Sequence, residues 1–270
     1  MKQQGEKVMR LEVLLAAVNQ DISLLDKINL ETDIIVCNQC DGTLVGVEKF
    51  QYNSHNVEWF NFNEKGVGLN RNNALMRSSA DICLIGDDDV TYKSGYAGAI
   101  VEAFKKNPKA DVILFNVQPN DNYKPFVCRR KMKINYLNCG RFGGVRIAFR
   151  RMKVVKNAIT FNLLFGGGAP YGAGEDVMFI EDCLRSGLKV IALPVEILSL
   201  RQERESTWFK GFDEKFFHDM GVSYVYHYGR LALPIAYVQL LRHRKEYLKN
   251  ISLKKALGFI KKGIRTYRNL

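Results

Sequence analysis

Ten residues, Asp81–Val90 (DICLIGDDDV), set the terms for the rest of the chain. The apolar run Ile82-Cys83-Leu84-Ile85 ends at Gly86 and opens directly into Asp87-Asp88-Asp89. A short apolar run bounded by Gly and Asp reads as a buried strand of a parallel sheet. Open α/β sheets bind ligands outside the carboxyl ends of their strands, so three carboxylates at such an end are placed to face one. Asp87 and Asp89 are two apart, and in extended backbone they point to the same side. Like charges packed this closely need a counter-charge, and a hard divalent cation already carrying phosphates is the natural one. The same residues also read as a solvated acidic turn capping the following helix.

The chain around this stretch alternates strands and helices. Leu11–Val18 reads as a first strand and Asp33–Cys37 as a second, with a helical pattern beginning between them at Ser23–Lys27. Asn56–Phe60 is a short third strand, Leu69–Ser79 has helix-forming composition, and the opening stretch is the fourth strand. A helix then runs from Ser94 or Gly95 to about Lys106, stopped by Asn107-Pro108, before a strand at Asp111–Val117. This order predicts βαβ units and a mainly parallel sheet. Neither the G-x-G-x-x-G dinucleotide fingerprint nor the G-x-x-x-x-G-K-[ST] phosphate loop is present, so something else must hold a phosphate. Residues 118–151, rich in Gly, Pro and basic side chains, read as loops and short strands, and Leu188–Leu193 as a last strand closed by Pro194.

A second carboxylate cluster lies in Phe165–Leu184. Gly166-Gly167-Gly168 and Gly172-x-Gly174 make a backbone that can approach a ligand closely, and Glu175-Asp176 then open a helix. Acidic residues suit a first helical turn electrostatically, which is one reading of the pair. The other is chemical: one carboxylate site for metal and one for proton abstraction are what metal-assisted transfer to a hydroxyl needs. Further on, Ser206–Phe212 carries Trp208 among polar residues, a pattern suited to stacking on a sugar.

Charge and cysteine bound the surroundings. Of the formal net charge of +12, +9 falls in residues 242–270, which calls for an anionic partner. Pro234–Leu248 and Ile251–Tyr267 read as helices, and in the second Leu253, Ala256, Leu257, Ile260 and Ile264 share one face while lysines and arginines fill the rest. A basic amphipathic helix is the pattern of a membrane-surface segment and fits nucleic acid less well; the alternative is a helix packed on the domain with a charged outer face. Cys37-x-x-Cys40 has no second CxxC, so the six cysteines suggest free thiols in a reducing cytosol. The apolar N-terminal stretch suits a strand better than a signal peptide.

Taken in order, the Asn-Gln turn after strand one, NQCDG after strand two, GVGLNRNNALMR, LIGDDDV, AGED opening a helix, and STWFKGF resemble glycosyltransferase family 2 over roughly residues 10–215. The likeness extends to members from bacterial capsule, exopolysaccharide and O-antigen clusters. It implies an α/β GT-A (Rossmann-like) fold, a mainly parallel sheet flanked by helices, with a basic helical C-terminal extension. The implied division is a transferase domain over 1–215, its donor half about 1–118 and its acceptor half about 119–215, and an extension over 216–270. The implied reaction is an inverting transfer of a sugar from a nucleoside diphosphate, a UDP-sugar first, with Mn2+ or Mg2+.

The resemblance also assigns roles. Ala17, Asn19, Asn38 and Asp41 fall at the base-binding strand ends, and Arg71 and Asn72 beside the diphosphate. Asp87 and Asp88 contact the nucleotide, and Asp89, with Asp87, holds the metal. Asp176 is the base that deprotonates the acceptor, Glu175 orients the acceptor, and Gly168 and Trp208 line its path. The implied acceptor is a glycan or a polyprenyl-diphosphate-linked oligosaccharide, met by a peripheral protein at the cytoplasmic face of the membrane. A homodimer is compatible with the sequence. Two departures stand out: NQCDG replaces a DDGS-like turn, and no His follows Asp176 before His218, leaving His218, His227 or groups near Ser206 to complete a metal shell. A metal-dependent nucleotidyltransferase would want a basic residue in a Gly-rich loop after strand one, which AAVNQD lacks, and a non-catalytic carbohydrate- or membrane-binding module would not need DDD and ED intact.

Overall fold

A computed structural model describes residues 8–42, 45–120, 124–201 and 211–269. It divides into two compact units, one of residues 1–163 and 175–203, the other of 164–174 and 204–270.

The first unit holds the sheet. Its strands are β1 (Leu11–Val18), β2 (Asp33–Gln39), β3 (Gly46–Tyr52), β4 (His55–Phe62), β5 (Ile82–Asp87), β6 (Val90–Tyr92), β7 (Val112–Gln118), β8 (Met132–Lys133), β9 (Ile147–Arg150) and β10 (Val190–Leu200). Its helices are α1 (Leu24–Ile28), α2 (Val67–Arg77), α3 (Tyr96–Lys106), α4 (Arg151–Lys156) and α5 (Glu175–Arg185). The strand order is β3-β4-β2-β1-β5-β9-β7-β10-β6, with β8 added to β10. β4, β2, β1 and β5 run parallel, as do β7 and β10, while β9 lies antiparallel between β5 and β7. The result is a mixed, mostly parallel sheet with helices packed on it.

The apolar strands bury both faces, and the alternation of the extended chain decides which residue goes where. In β5, Ile82 and Leu84 enter one core cluster while Cys83 and Ile85 enter the other. β2 divides likewise, Ile34 and Val36 against Ile35 and Cys37. Register then aligns the carboxyl ends: Ala16 pairs with Asp87, Ala17 with Asn38, and Val18 with Gln39. At the end of β5 a side chain on Gly86 would put its Cβ 2.5 Å from the buried Tyr92 hydroxyl, so only glycine lets β6 tuck beneath the strand end.

The structure departs from the sequence reading in this unit. Asp88 and Asp89 form a turn into β6, so the extended-chain alternation that set Asp87 and Asp89 on one side does not apply. Pro194 does not end the last strand; β10 continues to Leu200 through a register shift between Ala192 and Glu196, the irregularity that accommodates a residue without an N–H. β3, an exposed antiparallel edge of alternating polar residues, carries no apolar signal and went unread. The short β8 and β9 lie inside the Gly-rich basic region that reads as loops and short strands.

The second unit is helical: α6 (Glu214–Tyr228), α7 (Ala232–Arg242), α8 (Arg244–Tyr247) and α9 (Leu253–Arg268). α6 was not anticipated, and the helix read over Pro234–Leu248 breaks at His243. Phe217, Ala236, Leu240, Tyr247, Ala256, Ile260 and Ile264 form this unit's own core. The apolar stripe of α9 is therefore spent on packing against α6 and α7. Among the described residues no helix is long and apolar enough to cross a membrane. All six cysteines are free thiols, and burial pushes Cys37 up to about 12, which leaves Cys37-x-x-Cys40 without a reactive thiolate.

Candidate active site

The turn after β5 is held from three directions. The Asp88 carboxylate accepts from the Val18 N–H at 3.1 Å, tying it to the end of β1. The Arg201 N–H donates to the Asp89 carbonyl at 2.7 Å, and its guanidinium donates to the carbonyls of Asp88, Val90 and Lys27. Asp87 is gripped by Arg71, whose Nη2 lies 2.9 and 3.0 Å from its two oxygens.

Arg71 is the residue whose position the sequence could not convey. It is 2% exposed, and its other terminal nitrogen donates to Glu175 Oε1 at 2.7 Å. One guanidinium thus links the first aspartate of DDD to the first acid of α5, and the Arg71–Glu175 contact spans 104 positions of sequence. α2 is seated to deliver it. A Cβ at Gly68 would lie 2.3 Å from the Asn162 carbonyl oxygen, so the helix approaches that segment as closely as backbone permits. The Asn72 amide closes a two-way pair with the Phe161 backbone, donating at 2.8 Å and accepting at 2.7 Å. Asn72, expected beside a diphosphate, has both amide groups on that loop instead.

The electrostatics follow from burial. Burial disfavours the Arg71 charge, but Asp87, Glu175 and Asp176 together outweigh it and hold the guanidinium firmly protonated. Glu175 is pushed up to about 7, first by burial and then by Asp176, with Arg71 opposing. Asp89 is pushed up to about 6 by burial and by the charges of Asp87 and Asp88. Asp176, half-buried beside Glu175, accepts from the Val177 N–H through Oδ1 at 2.7 Å. Its Oδ2 lies where a Cβ on Gly143 would sit 2.3 Å away, so a side chain there would push this carboxylate from its place. In the sequence Gly143 is one glycine among several in the Gly- and Pro-rich stretch 118–151.

The remaining candidates divide. Asn19, in the left-handed region at φ 51°, and Asp41 clasp each other at the ends of β1 and β2, side chain to side chain at 2.9 Å and side chain to backbone at 3.0 Å. Ala17 and Asn38 are buried beneath them, and the Asn38 amide is taken up by Gln20 and Asn61. Gly168 belongs to the second unit, exposed in a left-handed turn at φ 77°. Trp208, with Ser206, lies outside the described residues. His218 has Nδ1 on Asp219 and Nε2 on Thr266, at 3.2 and 3.1 Å, so both ring nitrogens are engaged away from any metal.

A cation would meet a set of carboxylate oxygens at the DDD turn, chemistry that suits Mg2+ or Mn2+. Among the described residues no three His, Cys, Asp or Glu side chains converge into a cage of their own. A magnesium-type ion takes one or two carboxylates and completes its shell with substrate phosphates and water, which the turn can satisfy. Asp87 has both oxygens on Arg71, so of the two Asp89, whose proton affinity is raised by burial and then by the charges of Asp87 and Asp88, is the carboxylate that could hold such an ion.

Solved structures share this architecture. Residues 1–349 of S. aureus TarS in complex with UDP-GlcNAc match at 16% identity with a TM-score of 0.63, covering 95% of this chain and 82% of that one. The mannosyltransferase PcManGT from Pyrobaculum calidifontis, in complex with GDP-Man and Mn2+, matches at 16% identity with a TM-score of 0.51, covering 97% and 75%. Among curated protein sequences none matches. The sequence profile of glycosyl transferase family 2 matches residues 11–165, more than half of the chain. On that match, and with the sheet it shares with these enzymes, the chain belongs to glycosyltransferase family 2.

Proposed function

We propose that this glycosyltransferase moves a sugar, with inversion, from a nucleoside-diphosphate donor, a UDP-sugar first, to a hydroxyl of a glycan acceptor. The observation that carries the reading is Arg71, which joins Asp87 to Glu175 and so brings the donor-side and acceptor-side carboxylates to one end of the sheet. The acceptor oxygen attacks the anomeric carbon, the bond from that carbon to the diphosphate oxygen breaks, and the acceptor proton passes to Asp176. One carboxylate suffices, because the nucleophile comes from the acceptor; a hydrolase would flank the bond with two. Asp89 is the metal ligand and Asp88 shares the donor side. A bound divalent cation would offset the charge building on the departing diphosphate. Glu175 orients the acceptor, and Asn19 and Asp41 rim the base site.

TarS binding UDP-GlcNAc and PcManGT binding GDP-Man with Mn2+ support a nucleotide-sugar donor and leave the nucleotide to measurement. We further infer a lipid-linked oligosaccharide acceptor in bacterial surface-polysaccharide synthesis, met by a peripheral enzyme at the cytoplasmic face of the membrane.

The test is a thermal-shift panel of UDP-, GDP- and dTDP-sugars with and without Mn2+, run beside a transfer assay. A ligand at a hundred times its Kd adds about 2.7 kcal/mol to the native state. The shift should need the metal and vanish in Asp89→Asn. Asp176→Asn should keep the shift and lose about 10²–10⁴-fold in transfer, the contribution of a general base. Full transfer by Asp176→Asn would remove it from the base role.

A further inference from the structure

The second unit spends the apolar stripe of α9 on its own core yet leaves another apolar face uncovered. From the residue before α7 to its last but one position, 231–241, the chain reads LALPIAYVQLL, without a charged side chain. The inner positions Ala232, Ala236 and Leu240 are buried against α6 and α9. The opposite arc carries Leu231 at 61% exposure, Val238 at 60% and Tyr237 at 44%, with Pro234 and Leu241 between them, at the three- and four-residue spacing of one helix face. Charge begins where the apolar residues end: Arg230 on one side, then Arg242, Arg244, Lys245 and Lys249 on the other, against the single acid Glu246. Leu248, 48% exposed, lies in sequence among these cations.

We infer that this face of α7 is a membrane-contacting surface for anionic lipid. A contiguous exposed apolar face rimmed by polar residues marks an interaction site. The rim decides which kind. A second copy would bring the same block of positive charge against itself, whereas an anionic bilayer accepts the apolar arc at the acyl boundary and the arginines and lysines at its headgroups. Tyr237 has the amphipathic ring that settles at such an interface. This assigns the contact to α7, not to the amphipathic α9 that the sequence pattern favours, and it builds on the proposal of a lipid-linked acceptor.

Flotation of the full chain with vesicles tests it. The protein should float with phosphatidylcholine vesicles containing about 30% phosphatidylglycerol and stay behind with pure phosphatidylcholine. Leu231→Glu/Val238→Glu should partition about tenfold less while keeping the parent's helical circular dichroism and its nucleotide-sugar thermal shift. Lys254→Ala/Lys255→Ala, on the exposed side of α9, should lose much less. The inference is overturned if the parent chain does not float, if the glutamate variant floats as well as the parent, or if the α9 variant loses as much. It is overturned too if light scattering finds a dimer that the glutamate variant dissolves and no flotation, which would make the face a self-interface. A nucleotide-sugar shift without flotation removes the membrane face alone; flotation without any such shift leaves the face standing and removes the transferase reading.

Discussion

Arg71 carries more of the site than any other side chain. A charged group removed from water is tolerated only while paired, and breaking a buried pair by deleting one partner costs about 3–5 kcal/mol. Arg71→Met deletes the partner of two carboxylates at once, leaving Asp87 and Glu175 uncompensated. We expect a loss at the upper end of that range, read by urea denaturation. Glu175 behaves oppositely, because Arg71 retains Asp87 without it. Its pKa stands at about 7 in the folded chain against an ordinary 4.5, raised first by burial. A raised acid contributes stability that is complete below its unfolded pKa and is lost as pH climbs through the folded one. Glu175→Gln should therefore match the parent near pH 4.5 and gain on it up to pH 7, by about 3 kcal/mol at the top. Paired denaturation curves across that range isolate the group, since every other titration is shared. A pH-independent difference would show that Glu175 does not change its protonation there.

At the scale of elements, glycine decides how closely backbones meet. α6 and α9 cross through Gly221 and Gly263: a Cβ on Gly263 would lie 1.9 Å from the His218 carbonyl oxygen, and one on Gly221 would lie 2.2 Å from that of Ile260. In a helix interior, glycine to alanine is ordinarily a gain of about 0.5–1 kcal/mol. Gly263→Ala should reverse that sign and cost about 1–3 kcal/mol, because the obstructing atoms are main chain and cannot step aside. Gly258→Ala, in the same helix with nothing within 4 Å, should keep the ordinary sign. Thermal melts of the two variants make the comparison. The elements that could be read from sequence are those with a simple local pattern. β1, β2, β5 and β7 are apolar runs between turns, and the alternation inside β5 survives into two separate cores. β3 faces solvent, β10 bends through a proline, and α6 scatters Glu214, Lys215, His218 and Asp219 among its apolar residues, so none of them has the periodicity its class advertises. The two acid clusters were legible as clusters. Arg71 entered only through the family resemblance, as a neighbour of the diphosphate, and its link to Glu175, like that of Gly143 to Asp176, is a contact made across the sequence that no local pattern shows.

Among the described residues the clusters on the sheet and the one among α6, α7 and α9 share no side chain. DDD, Arg71, Glu175, Asp176, Asn19 and Asp41 all belong to the first unit, and most of the excess positive charge belongs to the second. A ligand stabilises what it binds, and protection from hydrogen exchange reports that stabilisation element by element. A nucleotide-sugar with Mn2+ should therefore slow exchange at the carboxyl ends of β1, β2 and β5, in α2 and in the first turn of α5. The amides of α6, α7 and α9 should exchange at their unliganded rates. Anionic vesicles should do the reverse, protecting α7 while leaving β5 unchanged, because the face they contact has its own core behind it. If the donor protected α9 as strongly as α2, the two units would open as one cooperative body, and a substitution on the outer face of α7 could reach the donor site through stability alone.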